Sequence, residues 1–101
     1  RPLLIDCLTL WLTRQLDAAG SWTGQPGAAA TVEARTSELV AAFAQATRPV
    51  IAVSNEVGQG LVPADADARL FRDELGRLNA RVAAVVDQVW FCTAGLPQRL
   101  K

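Results

Sequence analysis

Apolar residues along this chain fall into two patterns: short continuous runs, and longer stretches where they recur every three or four positions. Leu3, Leu4 and Ile5 form a continuous run closed by Asp6, the pattern of a strand buried on both faces as in parallel sheets. From Cys7 to about Ala19, Leu8, Trp11, Leu12 and Leu16 return at helical spacing, so a helix is predicted directly after the strand. Gly20 to Gly27, with Gly20, Gly24, Pro26 and Gly27, reads as a loop and as the most mobile stretch. A second helix is predicted from about Thr31 to Ala46, with Val32, Leu39, Val40 and Phe43 on one face and Glu33, Arg35 and Glu38 on the other. Pro49 to Ser54 is another β-branched run, its proline at the start where the ladder can spare an N–H. Pro63 with Asp65 or Asp67 announces a third helix, running to about Val86 with Phe71, Leu75, Leu78, Val82 and Val85 along one face. Gln88 to Thr93 reads as a third strand, after which Ala94-Gly95-Leu96-Pro97 turns the chain toward a short tail.

The order β-α-α-β-α-β, with connections long enough for crossovers, predicts an α/β fold: a parallel sheet with crossover helices. Ligands of such sheets bind beyond the carboxyl ends of the strands. Asp6, the Asn55 to Gly60 loop and the Thr93 to Gly95 turn are therefore expected to share one edge.

Composition narrows the chemistry. With 101 residues, half of them hydrophobic and 20% charged, the chain reads as a single globular α/β domain over residues 1–101. The formal charge is zero and the ten basic residues are scattered, which gives no electrostatic footprint for nucleic acid or an anionic membrane. Histidine is absent, so a Ser-His-Asp triad, a histidine metal cluster or a phosphohistidine cannot come from these residues. Cys7 and Cys92 lie in separate apolar runs, the pattern of buried small hydrophobes in a reduced, cytoplasmic protein. No apolar stretch approaches the ~18 residues of a membrane span. The chain opens Arg1-Pro2 with an apolar run almost at once, which reads as a piece cut close to a domain's interior.

Leu3-Leu4-Ile5-Asp6 has the form of a Walker B strand, whose carboxylate orients Mg²⁺ or nucleotide at a phosphate site; Asp6 also stands where it could cap the next helix. Asn55-Glu56-Val57-Gly58-Gln59-Gly60 puts an amide and a carboxylate after a strand, followed by glycines that permit close backbone approach to a ligand. The same stretch can equally be a Gly-rich turn with a solvated glutamate. A Gly-x-x-x-x-Gly-Lys-[Ser/Thr] phosphate cradle is absent, and the one lysine is Lys101. Arg69, Arg72, Arg77 and Arg81 alternate with Asp67, Asp73 and Glu74, mostly a solvated helix face with intrahelical pairs. Trp11, Trp22 and Trp90 read as core or interface residues.

Taken together, Leu4-Ile5-Asp6-Cys7-Leu8-Thr9-Leu10-Trp11-Leu12-Thr13, Val53 to Pro63, Phe71 to Asn79 and Val89-Trp90 resemble the bifunctional adenosylcobinamide kinase and adenosylcobinamide-phosphate guanylyltransferases of cobalamin biosynthesis. The resemblance covers essentially the whole chain and matches the C-terminal portion of that family. It implies a P-loop NTPase-like fold lacking here its N-terminal P-loop portion, ATP or GTP as phosphate donor with Mg²⁺, and GTP as donor of GMP to adenosylcobinamide phosphate. It also implies a homotrimer. By matching positions Asp6 takes the place of the nucleotide-binding acid after the Walker B strand, with a possible link to Mg²⁺, and Asn55, Glu56, Gly58 and Gly60 lie in the active-site edge loop. The family's P-loop and GMP-carrying histidine lie upstream of that strand, so the 101 residues alone are expected to be inactive. The competing reading is a non-catalytic α/β module that binds or assembles with a partner.

Overall fold

Leu3–Asp6 (β1) and Val50–Val53 (β2) pair in parallel, Leu3 opposite Val50 and Asp6 opposite Val53, in a computed structural model that describes residues 1–101. The connection between them holds Leu8–Ala19 (α1), a short 3-10 turn at Ser21–Thr23 and Ala28–Ala44 (α2). Beyond β2 the chain enters Ala66–Val85 (α3) and ends in an antiparallel hairpin of Trp90–Thr93 (β3) and Leu96–Arg99 (β4). The α/β class, the parallel pair and its helical crossover are those the hydrophobic pattern predicts.

The core follows from helical periodicity. Leu8, Leu12 and Leu16 on α1, Val32 on α2, and Leu75, Leu78 and Val82 on α3 form one buried cluster. The α1 and α3 sets repeat at three- or four-residue intervals, as do the buried Ala28, Val32 and Thr36 of α2, so each helix turns a single stripe inward. Ile5 and Ala52 bring one face of the β1–β2 pair against this cluster, and Trp11, Trp22, Leu39, Val40 and Phe43 also pack on it. Arg81 Nη1 reaches Glu33 Oε1 at 2.9 Å and Arg81 Nη2 donates to Ser37 Oγ at 3.0 Å, tying α3 to α2 at the rim.

Three expectations need correction. First, β1 and β2 are covered on one face only: Leu4 is 64% and Ile51 61% exposed, because all three helices contribute to the cluster on the Ile5 and Ala52 side. Second, the third strand does not join the parallel pair. Its partner begins three residues on, at Leu96, across a two-residue turn in which Ala94 (φ 52°) and Gly95 (φ 76°) both adopt left-handed backbone. Two such residues make the tight connection whose twist suits a hairpin, and closing it costs far less entropy than a crossover. Pro97 is accommodated within this hairpin, as proline can be on an edge strand. Third, Cys92 is exposed and Cys7 only half-buried, although both are free thiols. Trp90 is likewise half exposed, with the Arg99 guanidinium 5.8 Å from its ring centre.

The Gly20 to Gly27 segment is compact rather than open. Gly20 caps α1 with left-handed backbone (φ 76°), its N–H bonded to Asp17 O at 3.2 Å, and Gln25 N–H returns to Gly20 O at 3.0 Å. The Trp22 indole donates to the Asp17 carboxylate. A Cβ at Gly20 would lie 2.7 Å from Gln25 Cβ, whereas one at Gly24 (φ 67°) meets nothing within 4 Å. Left-handed backbone costs an L-residue about 1–2 kcal/mol. Gly24→Ala should lower stability by that amount alone, and Gly20→Ala by clearly more, as compared by urea midpoints; equal losses would show that the Gln25 contact yields freely.

Candidate functional site

Parallel pairing puts the carboxyl ends of β1 and β2 side by side, so Asp6 and the chain leaving Val53 stand at one edge. The N-terminus of α1 opens at the same edge, because β1 passes into α1 through Cys7 alone. The Asp6–Cys7 peptide is cis. Alternation along β1 sends Ile5 to the core and Asp6 to the opposite, open face.

Asp6 is exposed and takes part in none of the three ion pairs of the chain. The N-cap position of α1 is Cys7, and no side chain caps that helix. The capping alternative for Asp6 therefore has no counterpart in the structure, and its carboxylate is left free at the strand edge.

Asn55 is fixed from two sides. Thr9 Oγ1, in the first turn of α1, donates to Asn55 Oδ1 at 2.8 Å. From α3, Asn79 Nδ2 donates to the Asn55 carbonyl at 2.9 Å, and Asn79 Oδ1 accepts from Ser54 Oγ at 2.5 Å. Both helices thus hold the first residues beyond β2. Glu56 Oε1 accepts the Gly58 N–H at 2.8 Å and closes a tight local turn. Neither Gly58 nor Gly60 has left-handed backbone, and a Cβ at Gly60 would meet nothing within 4 Å. The fold itself does not demand glycine at position 60.

The rest of the loop is gathered by arginines of α3. Arg72 Nη2 donates to Gly58 O at 2.5 Å and Gly60 O at 3.1 Å, and Arg72 Nη1 to Leu61 O at 3.0 Å. Arg69 Nη1 donates to Pro63 O at 2.9 Å and Ala64 O at 2.7 Å. The helix is not capped by the side chain of Asp65, which occupies its N-cap position. Of the four arginines read as a solvated face, only Arg77 pairs within the helix. Its hydrogen bond to Glu74, at 2.7 Å, and that carboxylate's charge raise the guanidinium pKa above its ordinary value.

The sequence thus brings Asp6 and Asn55 to one edge, followed by Glu56, Gly58 and Gly60 in the loop from β2. The Thr93 to Gly95 turn belongs to the separate hairpin sheet and not to this parallel pair. Sequence reasoning missed Thr9, Ser54, Asn79 and Arg72 as parts of the site. A usable signal existed for two of them: positions 72 and 79 are seven apart, two turns on one face of α3. A groove of about 520 Å³ between α1 and α2, lined by Trp11, Gln15, Thr31, Arg35, Glu38 and Leu39 among others, lies away from this edge and contains none of these residues.

The family model described as cobinamide kinase / cobinamide phosphate guanyltransferase matches residues 1–100, which include every residue of this edge. The chain belongs to that family. Curated relatives similar to it include the bifunctional adenosylcobalamin biosynthesis proteins CobU of Salmonella typhimurium, 38% identical over 104 residues, and CobU of Escherichia coli, 35% identical over 105 residues. Each alignment takes in 98% of this chain and 58% of the relative. The bifunctional adenosylcobalamin biosynthesis protein CobP of Pseudomonas aeruginosa is 38% identical over 103 residues, covering 100% of this chain and 54% of CobP. The chain therefore spans a little over half the length of the cobinamide kinase / guanyltransferase relatives it matches. No helix in it is long and apolar enough to cross a membrane.

Proposed function

We propose that this chain is the C-terminal part of a P-loop NTPase-like enzyme of cobalamin biosynthesis that performs two transfers. One moves the terminal phosphoryl group of ATP or GTP to a hydroxyl of adenosylcobinamide. The other moves GMP from GTP to the resulting phosphate, with release of diphosphate. The observation that carries the proposal is family membership across residues 1–100. The free Asp6 carboxylate at the sheet's carboxyl edge supports it, since nucleotides bind beyond that edge in sheets of this type.

In this reading Asp6 is the nucleotide-site acid and acts on charge at the phosphates. Asn55, Glu56, Gly58 and Gly60 form the neighbouring wall, where a glycine not required by the fold leaves room for a ligand to approach the backbone. No three Cys, Asp or Glu side chains converge into a metal cage. That donor set fits Mg²⁺ only in the shared manner, with one protein carboxylate beside waters and substrate phosphates. Asp6 would supply that carboxylate, and the ion, when bound, would neutralise phosphate charge. The functional protein works in the cytoplasm as a homo-oligomer, a trimer by resemblance.

The chain has neither a phosphate-binding Gly-x-x-x-x-Gly-Lys-[Ser/Thr] segment nor a histidine. The purified 101 residues should therefore form no adenosylcobinamide phosphate and take up no GMP from labelled GTP, whereas the native-length protein should do both. Turnover by the isolated chain would overturn the division of labour. A folded native-length protein active in neither reaction would leave the non-catalytic binding module as the better reading.

A further inference from the structure

The loop from Asn55 to Pro63 contains no regular secondary structure, yet its stretch from Gly58 to Leu61 is gathered by one side chain. Arg72 donates to three of its carbonyls, at Gly58, Gly60 and Leu61, over distances of 2.5 to 3.1 Å. A planar guanidinium has donors on two terminal nitrogens in a fixed fork and can reach several carbonyls at once; an ammonium, a point donor on a flexible stem, does not reproduce that fork. These bonds use three of the five N–H donors of the group that most invites reading as a phosphate contact, and they engage both of its terminal nitrogens. One turn upstream, Arg69 secures Pro63 and Ala64 in the same way. Two turns downstream, Asn79 holds the loop's first residue. Hydrophobic burial anchors this loop at Val57, which packs against the core cluster, but not at Leu61 and Val62, which are 96% and 74% exposed.

We infer that Arg72 is a positioning residue: it shapes the Asn55 to Gly60 wall for its ligand through backbone carbonyls and does not itself bind phosphate. The inference rests on the transfer activity proposed above and adds to it the residue that sets the geometry of the loop. By drawing three carbonyls toward α3, Arg72 fixes the orientation of the peptide groups between Gly58 and Leu61, and so the surface that Asn55 and Glu56 present beside Asp6. A loop released from this clamp must be ordered by the substrate at each encounter, which weakens binding before it affects the chemical step.

The test compares wild-type, Arg72→Lys and Arg72→Ala native-length proteins by three measurements: transfer kinetics, amide hydrogen exchange and rescue by millimolar guanidinium. Both variants should raise KM roughly ten-fold or more while kcat changes less than about three-fold. Exchange at residues 57–62 should quicken at least ten-fold with the amides of α1 and α3 unchanged. Added guanidinium should restore KM in Arg72→Ala and not in Arg72→Lys, whose amine fills the space. Wild-type KM and exchange in Arg72→Lys would overturn the inference, as would a kcat loss of a hundred-fold at unchanged KM, the mark of a direct contact with the transferring group. If either variant failed to fold, faster exchange across α1 and α3 would reveal it, and Arg72→Gln, with a shorter side chain and two donors, takes its place under the same criteria. A wild-type protein active in neither transfer would sink the transferase reading instead, leaving exchange at residues 57–62 in wild type and variants to decide whether Arg72 shapes the loop.

Discussion

Asp6→Asn in the native-length protein should lower both transfer rates about a hundred- to a thousand-fold while leaving the melting temperature without nucleotide nearly unchanged. The two halves rest on different observations. Asp6 is exposed, joins no ion pair and does not cap α1, so replacing its carboxylate by an amide of the same shape removes no interaction of the folded chain. Surface changes of that kind stay within about 0.5 kcal/mol. In the nucleotide reading, however, the lost charge acts where phosphate charge is redistributed. Deleting one preorganised electrostatic group costs about 2.7–4 kcal/mol of transition-state stabilisation, which is the stated range in rate. Kinase and guanylyl-transfer rates measured beside a thermal melt decide the matter. Near-wild-type rates would remove Asp6 from the site, and a fall in melting temperature of many degrees would give it a structural role that the free carboxylate does not suggest.

What could be read from the sequence depended on how far each interaction reaches along the chain. The strand Leu3–Asp6 and the three helices were legible to within about three residues, because apolar spacing is a local signal and the buried stripes of α1 and α3 keep it without interruption. The meeting of Asp6 with the Asn55 loop followed from topology, since parallel strands necessarily end side by side. The side chains that fix the loop were not legible: Thr9 reaches Asn55 across 46 positions and Asn79 reaches it across 24, and no periodicity encodes such pairings. The hairpin was obscured for another reason. Trp90–Thr93 has the continuous apolar look of a parallel strand, Ala94 in left-handed backbone gives none of the usual Asn-Gly signal, and Pro97 reads as a breaker although it lies within a strand. Leu4 and Ile51, which sequence would bury, are exposed because every helix of this chain contributes to one cluster, and that cluster meets the other face.

The largest loss of stability is expected from Leu75→Ala. Leu75 is fully buried, with no exposed surface, at the centre of the cluster shared by α1, α2 and α3. Truncating such a leucine forfeits its transfer free energy and leaves a cavity that packed neighbours fill only in part, about 2.7–5 kcal/mol together. Domains of this size are stable by only about 5–15 kcal/mol, so the change removes a large share of what holds the helices against the sheet. Leu75→Met, which nearly keeps the volume, should cost under about 1.5 kcal/mol, and Leu61→Ala, at a residue 96% exposed, under about 0.5 kcal/mol. Urea unfolding followed by the fluorescence of Trp11 and Trp22, both packed on this cluster, should show the Leu75→Ala midpoint fall with an unchanged slope. The site is tied to the same helix: Arg72 lies one turn before Leu75 and Asn79 one turn after it. Partial collapse of α3 toward the cavity would therefore shift both holds on the loop beyond β2, and KM should rise in Leu75→Ala even at urea concentrations where the protein remains folded. A midpoint close to that of Leu61→Ala would mean that the cluster around Leu75 does not carry the stability assigned to it.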